Sequence, residues 1–261
     1  MTPDRFLEML GRPDGPLADA SLWPLAIERV DPVSASITRL TLSAPGLEQL
    51  RYQAGQDLML RLPRPDGQVV NRRYTIRSWQ PSPPLVSIDV SLHGAGPGTE
   101  WVRQAKVGDR IDAIGPRGKV TLRPDAEWHL FVGDETGMPG ILAMAEALPA
   151  GSVGVALLEV DSTADEQSLD GVAAAGDVTV HWLHRDDRYR PGDPDLFVAA
   201  LSDLACPAGR GYAYVAAEQR VVRAVQDVLR RRGFGDDQIS AKAYWRRGLP
   251  NADHGEPVRE G

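Results

Sequence analysis

Two periodicities run along this chain, and they change over near residue 123. From Ala35 to about Ile114, apolar and polar positions alternate: Leu58, Leu60 and Leu62 are separated by other residues, and Val86, Ile88, Val90 and Leu92 interleave with Ser87, Asp89 and Ser91. Successive side chains of a strand point to opposite faces, so a period of two predicts half-buried antiparallel strands. The segments are short and are broken by PRPDG, QPSPP, VGD and GPRG, a pattern that favours a small β-barrel or sandwich.

After Arg123-Pro124-Asp125 the pattern becomes strand then helix, repeatedly. An apolar run from Trp128 to Val132 leads into GDETGMPG and a helix with Met138, Ile141, Leu142, Ala145 and Leu148 on one face. Strands are predicted over Val153 to Val160, Val178 to Leu183, Tyr212 to Ala216 and Ile239 to Tyr244, and a helix over Asp195 to Leu204. A second amphipathic helix carries Val221, Val222, Val225, Val228 and Leu229 and stops at Gly233. Alternating strand and helix predicts a parallel α/β sheet. The expected division is an extension over 1–20, a β domain over 21–122, an α/β domain over 123–248 and a polar tail over 249–261.

Composition narrows the chemistry. At 261 residues, 42% hydrophobic and 25% charged, the chain has the make-up of a globular protein. A net charge of −7 without a Lys/Arg run argues against a nucleic-acid partner. The start, MTPDRFLEML, lacks an apolar leader core and nowhere do 18 apolar residues run together, so no membrane association and a cytoplasmic location are expected. One cysteine, Cys206, builds neither a disulfide nor a Cys-type metal site. Redox chemistry would therefore need a borrowed cofactor.

Three segments carry candidate chemistry. Arg72-Arg73-Tyr74-Thr75-Ile76-Arg77 joins guanidinium groups suited to a diphosphate with a ring and a hydroxyl suited to a flat cofactor. His93-Gly94-Ala95-Gly96-Pro97-Gly98-Thr99 is a glycine-rich turn in which Thr99 is placed to start a helix facing an anion. Gly133-Asp134-Glu135-Thr136-Gly137 lies between the first strand and first helix of the α/β half, where open parallel sheets bind ligands. It is not G-x-G-x-x-G, so it carries no Rossmann fingerprint. His181 and His184 are three apart on a strand and point to opposite faces, which argues against a metal site, and none is expected. Asp161, Asp165 and Glu166 read as a solvated loop, and no Ser-His-Asp arrangement supports hydrolysis.

RRYTIR, HGAGPGTEW, GPRG, GDETGMPGILAMAEALP, WLHR and ISAKAYWRRG, in this order, resemble the siderophore-interacting protein family, FAD-dependent ferric-siderophore reductases related to the ferredoxin reductases. The resemblance runs from about Ala26 to Gly248. It implies an antiparallel six-stranded FAD-binding β-barrel followed by a parallel-sheet α/β NAD(P)-binding domain. It further implies that Arg72 reaches the FAD diphosphate and that Tyr74 and Thr75 line the flavin. His93, Gly94, Gly96, Pro97 and Thr99 would cover the phosphates and adenine, and Asp134, Glu135 and Thr136 would meet the nicotinamide. Trp245 would lie near the flavin, with Lys242, Arg246 and Arg247 at the substrate mouth, and Thr75 and Thr136 would be the residues nearest the chemistry.

The activity so implied takes a hydride from NADH or NADPH onto FAD and reduces a ferric siderophore, releasing ferrous iron. Alternatives are reduction of another acceptor, such as a ferredoxin partner or a quinone, and a carrier that binds without turnover. Glu159 and Asp161 on and after the second α/β strand would repel a 2′-phosphate, which favours NADH.

Overall fold

The computed structural model describes residues 20–64, 67–92 and 96–248; the expected extension, apart from Ala20, and the tail lie outside them. The first part of the chain forms a closed antiparallel barrel from β1 (Ser21–Pro32), β2 (Ile37–Ser43), β3 (Asp57–Pro63), β4 (Val69–Pro81), β5 (Pro84–Ser91) and β6 (Arg110–Arg117). The strand order is β1-β2-β5-β4-β3-β6, with β6 returning to β1. Leu58, Leu60 and Leu62 point inward with Leu40, Ile76 and Ile88, as the alternation requires. β1 lies outside the segment where alternation is legible. A bulge between Ile27 and Arg29 shifts its phase, so its inward residues pass from Leu25 and Ile27 to Val30. A second bulge, between Ile76 and Ser78 in β4, places the extra residue at Arg77.

A helix, α1 (Pro97–Gln104), connects β5 to β6. The α/β half contains β7 (Trp128–Gly133), α2 (Met138–Glu146), β8 (Val153–Val160), a short α3 (Asp170–Ala175), β9 (Asp177–His184), α4 (Asp195–Asp203), β10 (Gly211–Glu218), α5 (Gln219–Arg231) and β11 (Ile239–Trp245). Its five strands are parallel in the order β11-β10-β7-β8-β9. Leu130, Val132, Val155, Leu157, Ala213 and Val215 form one face, packed with Phe197 and Leu201 of α4 and Val221 and Val225 of α5. Gly233, at φ +93°, ends α5 in the left-handed region as the sequence predicts. Because β7, β8 and β9 run outward one way and β10 returns to the other side of β7, the topological switch point lies between β7 and β10.

The fold is thus the expected barrel followed by a parallel α/β sheet. It comprises two compact units, Leu142–Ala147 counting with the barrel and the rest of the chain from Arg123 forming the second. Among the described residues no helix is long and apolar enough to cross a membrane.

Candidate functional site

In the barrel, pairing of Tyr74 with Leu58 and of Arg72 with Leu60 sets those two side chains on the face of the apolar core. Arg73 and Thr75, opposite Met59 and Asp57, project from the other face. Thr75 is buried there, and Arg73 forks onto the buried Asp57, with Nε 3.0 Å from Oδ1 and Nη2 2.6 Å from Oδ2. Arg77, swung aside by its bulge, makes a two-pronged bond to Glu146 at 2.7 and 2.6 Å. Arg72 Nη1 donates to the Asn71 carbonyl at 2.8 Å. Of the three arginines in RRYTIR, two are therefore matched to carboxylates within the barrel unit, and Arg72 is the one set beside α1.

A Cβ on Gly98 would stand 2.0 Å from Tyr74 Oη, and Arg72 Cγ is 3.9 Å from the same point. Only glycine allows the first turn of α1 to lie this close. Burial, against the pull of Arg72, pushes the Tyr74 phenol up to about 12, so it remains a neutral donor at physiological pH. The helix begins with Gly96 as N-cap and Pro97 in its first turn, two residues earlier than a start at Thr99, because proline's fixed φ suits that turn. Among the described residues no side chain caps it. His93 and Gly94 lie outside the described residues. The buried Asn71 Oδ1 has no hydrogen-bond partner. A guanidinium beside a helix N-terminus suits a dinucleotide's diphosphate, so the residues present fit the FAD implied by the resemblance; the unpaired Asn71 Oδ1 lies on the other face of β4, with Arg73 and Thr75, and is a separate acceptor.

In the second unit, Asp134 is buried at the carboxyl end of β7. Its Oδ1 accepts from the Thr136 amide (2.9 Å), the Thr136 hydroxyl and the Gly137 amide (3.2 Å). Its Oδ2 accepts from the Glu218 amide (2.9 Å) and Trp245 Nε1 (2.8 Å). Burial pushes the carboxyl up while these donors pull it down. Asp134 therefore fastens β7, β10 and β11 together at the switch point. Glu218 caps α5 through the Arg220 and Val221 amides, and its Oε1 accepts from the Arg247 amide at 3.1 Å. A Cβ on Gly137 would lie 1.9 Å from the Ala216 carbonyl, so glycine is required for the turn to close on β10.

A second cluster crosses the carboxyl ends of β7, β8 and β9. Arg185 donates from Nη1 to Glu159 Oε1 at 2.8 Å, and from Nη2 to Glu135 Oε1 at 3.0 Å and Asp161 Oδ1 at 3.3 Å. The side chains of Arg185 and Glu159 are each 1% exposed, whereas that of Asp161 is 57% exposed. Burial, opposed by Arg185 and reinforced by Asp134 and Glu135, raises Glu159 to about 7. Burial also works against the charge of Arg185, but Glu135 and Glu159 outweigh it and keep the guanidinium protonated.

The terminal strand ends at Trp245, with a bulge where β10 passes from Ala217 to Glu218. Lys242 Nζ stands 5.2 Å over the Tyr244 ring. Arg246 and Arg247 follow the strand, which runs one residue beyond the expected Tyr244, and are exposed.

The sequence thus marks Asp134, Thr136 and Trp245, which the structure brings together, and Glu135, which it assigns to the neighbouring cluster; Arg247 is marked for its guanidinium, whereas it is the Arg247 backbone amide that joins the group through Glu218. It misses Asn71 and Glu218, and it reads Glu159 as a repelling charge rather than the buried partner of Arg185. A signal for two of these exists: Glu159 and Glu218 each stand at the carboxyl end of an otherwise apolar strand. Asp165 is buried within a 3-10 turn, correcting the solvated-loop reading at that position, and Ser162 Oγ donates to it at 3.3 Å.

Comparison with known proteins agrees with the fold. A family model described as siderophore-interacting protein matches residues 126–248, and one described as siderophore-interacting FAD-binding domain matches 60–120. The chain is 31% identical to the ferric vibriobactin reductase ViuB of Vibrio cholerae over 78% of its own length and 73% of the relative's. It is 26% identical to the NADPH-dependent ferric-chelate reductase of Escherichia coli K12, covering 87% and 94% of the two chains. The crystal structure of a siderophore utilization protein from T. fusca superimposes with a TM-score of 0.79 at 29% identity, covering 90% and 96%.

Proposed function

The chain belongs to the siderophore-interacting protein family, and from that premise we propose that it is an FAD-dependent oxidoreductase that takes a hydride from NAD(P)H and reduces ferric siderophore complexes. The observation that carries this reading is the close seat of α1 on Tyr74 and Arg72, which sets a helix N-terminus beside a guanidinium. Two further supports are the FAD-binding domain match and relatives that are themselves named ferric reductases.

Bound FAD supplies the conversion of one hydride into two single-electron transfers, so that one NAD(P)H and two ferric complexes give NAD(P)⁺, a proton and two ferrous ions. The chain's contribution is binding and orientation. Arg72 and the first-turn amides of α1 hold the diphosphate, Tyr74 offers its phenol, and Thr75 lies near the flavin. In the α/β unit, Asp134 keeps the Asp134–Gly137 turn closed so that Thr136 would meet the nicotinamide nucleotide, while the Glu135 side chain is turned into the Arg185 cluster. Lys242, Arg246 and Arg247 attract the anionic chelate. Ferrous iron fits hard oxygen ligands less well than ferric iron, so reduction favours release.

The test is spectroscopic. Purified protein should carry a flavin spectrum that bleaches anaerobically on adding NADH or NADPH. A protein that binds FAD but is not bleached by either nucleotide contradicts the donor, and one that binds no flavin contradicts the whole reading. Bleaching followed by reoxidation with a quinone or a ferredoxin, and not with ferric chelates, would assign a different acceptor.

A further inference from the structure

The cluster of Glu135, Glu159, Asp161 and Arg185 is unusual for what it buries. One guanidinium bonds three carboxylates, two of which are buried with it, so with every group ionised the cluster carries a net charge of −2. Glu159 Oε2 and Arg185 Nε are both buried without a hydrogen-bond partner. An ionised carboxylate with one oxygen unpaired in a dry site is the costly form of that group. The charges facing Glu159 are Arg185 after β9 and Asp134 and Glu135 from the turn after β7, with Asp161 joined through Arg185. Three of these four are negative. Glu159 is accordingly raised to about 7, within the range in which cells operate.

The position matters as much as the charge. In open parallel sheets ligands bind outside the carboxyl ends of the strands, and an acid at the end of the second strand is placed to meet the adenosine ribose. Here the second strand of the unit is β8, Glu159 is its penultimate residue, and the exposed Asp161 follows it.

We propose that Glu159 is a proton-operated selector of the electron donor: ionised, it leaves the β7–β9 edge too negative for a 2′-phosphate and the chain prefers NADH; protonated, it leaves Arg185 less neutralised and NADPH is accepted. The inference rests on the nicotinamide-nucleotide reading above and adds a residue and a direction to it. A change of one unit of charge near a phosphate, partly screened by protein and water, alters relative affinity by roughly three- to ten-fold.

The experiment measures dissociation constants of NADP⁺ and NAD⁺ by titration calorimetry from pH 6.5 to 8.5. The proteins compared are the flavin-loaded wild type, Glu159→Gln and Asp161→Asn. In the wild type the affinity for NADP⁺ relative to NAD⁺ should rise about three- to ten-fold as the pH falls. In Glu159→Gln that dependence should disappear, apart from the 2′-phosphate's own titration near ~6. Asp161→Asn should favour NADP⁺ at every pH and keep the wild-type inflection. A pH-independent ratio in the wild type, or an unchanged dependence in Glu159→Gln, overturns the selector while leaving the nucleotide reading intact; binding of neither nucleotide overturns that reading and the selector with it. Should Glu159→Gln not fold, infrared difference spectra of the wild type decide. A protonated-carboxyl band should grow as the pH falls through neutrality and grow further on adding NADP⁺, and a band indifferent to both overturns the proposal.

Discussion

At the scale of single residues, the account depends most on how closely α1 can approach β4. A methyl group at Gly98 would collide with Tyr74 Oη at 2.0 Å, and the next atom it would meet, Tyr74 Cζ, is 3.3 Å away. Gly98→Ala should therefore cost about 1–3 kcal/mol by overpacking and lower FAD affinity. Adding Tyr74→Phe should recover most of the lost stability, because the clashing oxygen is gone. Thermal melts of the two single variants and the double variant measure this; additive losses would show that the contact is not the cause. Arg72 is tested separately. Loss of a charge-assisted contact to a diphosphate, about 1.5–3 kcal/mol, should raise the FAD dissociation constant of Arg72→Ala roughly ten- to hundred-fold. Flavin quenching measures it, and an unchanged constant removes Arg72 from the diphosphate site.

At the scale of elements, the buried Glu159 links strand order to pH. Its folded-state value of about 7 lies above the ordinary 4.5, so its favourable contribution to stability is complete below about pH 4.5 and is lost as the pH rises through 7. Relative to Glu159→Gln, which cannot ionise, the wild type should lose up to about 1.4 kcal/mol per pH unit across that window. Chemical denaturation of both proteins at pH 5 and pH 8 checks the sign, and a gap that does not change between those conditions contradicts it. Little of this was legible in the chain. Alternation marked β3 and β5, and strand–helix repetition marked the parallel sheet, because those elements have one clear apolar face. β1 escaped because its bulge changes phase, and α3 because six residues carry too little periodicity. The partners of Glu159 depend on β9 lying beside β8 and β7 on its other side, a neighbourhood that spacing along the sequence does not contain. The RRYTIR segment drew attention as a set of arginines, yet which of them faces α1 follows from the pairing of β4 with β3.

At the scale of the whole molecule, a net charge of −7 opposes the approach of an anionic ferric chelate, and salt confines that repulsion, like any local attraction, to within a Debye length of about 8–10 Å. In the proposed function the local attraction would come from the exposed Arg246 and Arg247 and from Lys242, which stands over the Tyr244 ring near the end of β11. Arg246→Ala should slow reduction of anionic chelates several-fold at low salt and flatten the salt dependence, with neutral chelates much less affected. Equal losses for neutral and anionic chelates would assign Arg246 a structural part. The central claim, that this chain passes electrons from a nicotinamide nucleotide through FAD to a ferric siderophore, is tested most directly by anaerobic sequential-mixing stopped flow. The flavin is first bleached with one equivalent of NADH, then mixed with a ferric siderophore in the presence of a ferrous-iron trap. The account predicts full return of the flavin absorbance with two trapped ferrous ions per flavin; a flavin that stays bleached while no ferrous iron appears would contradict it.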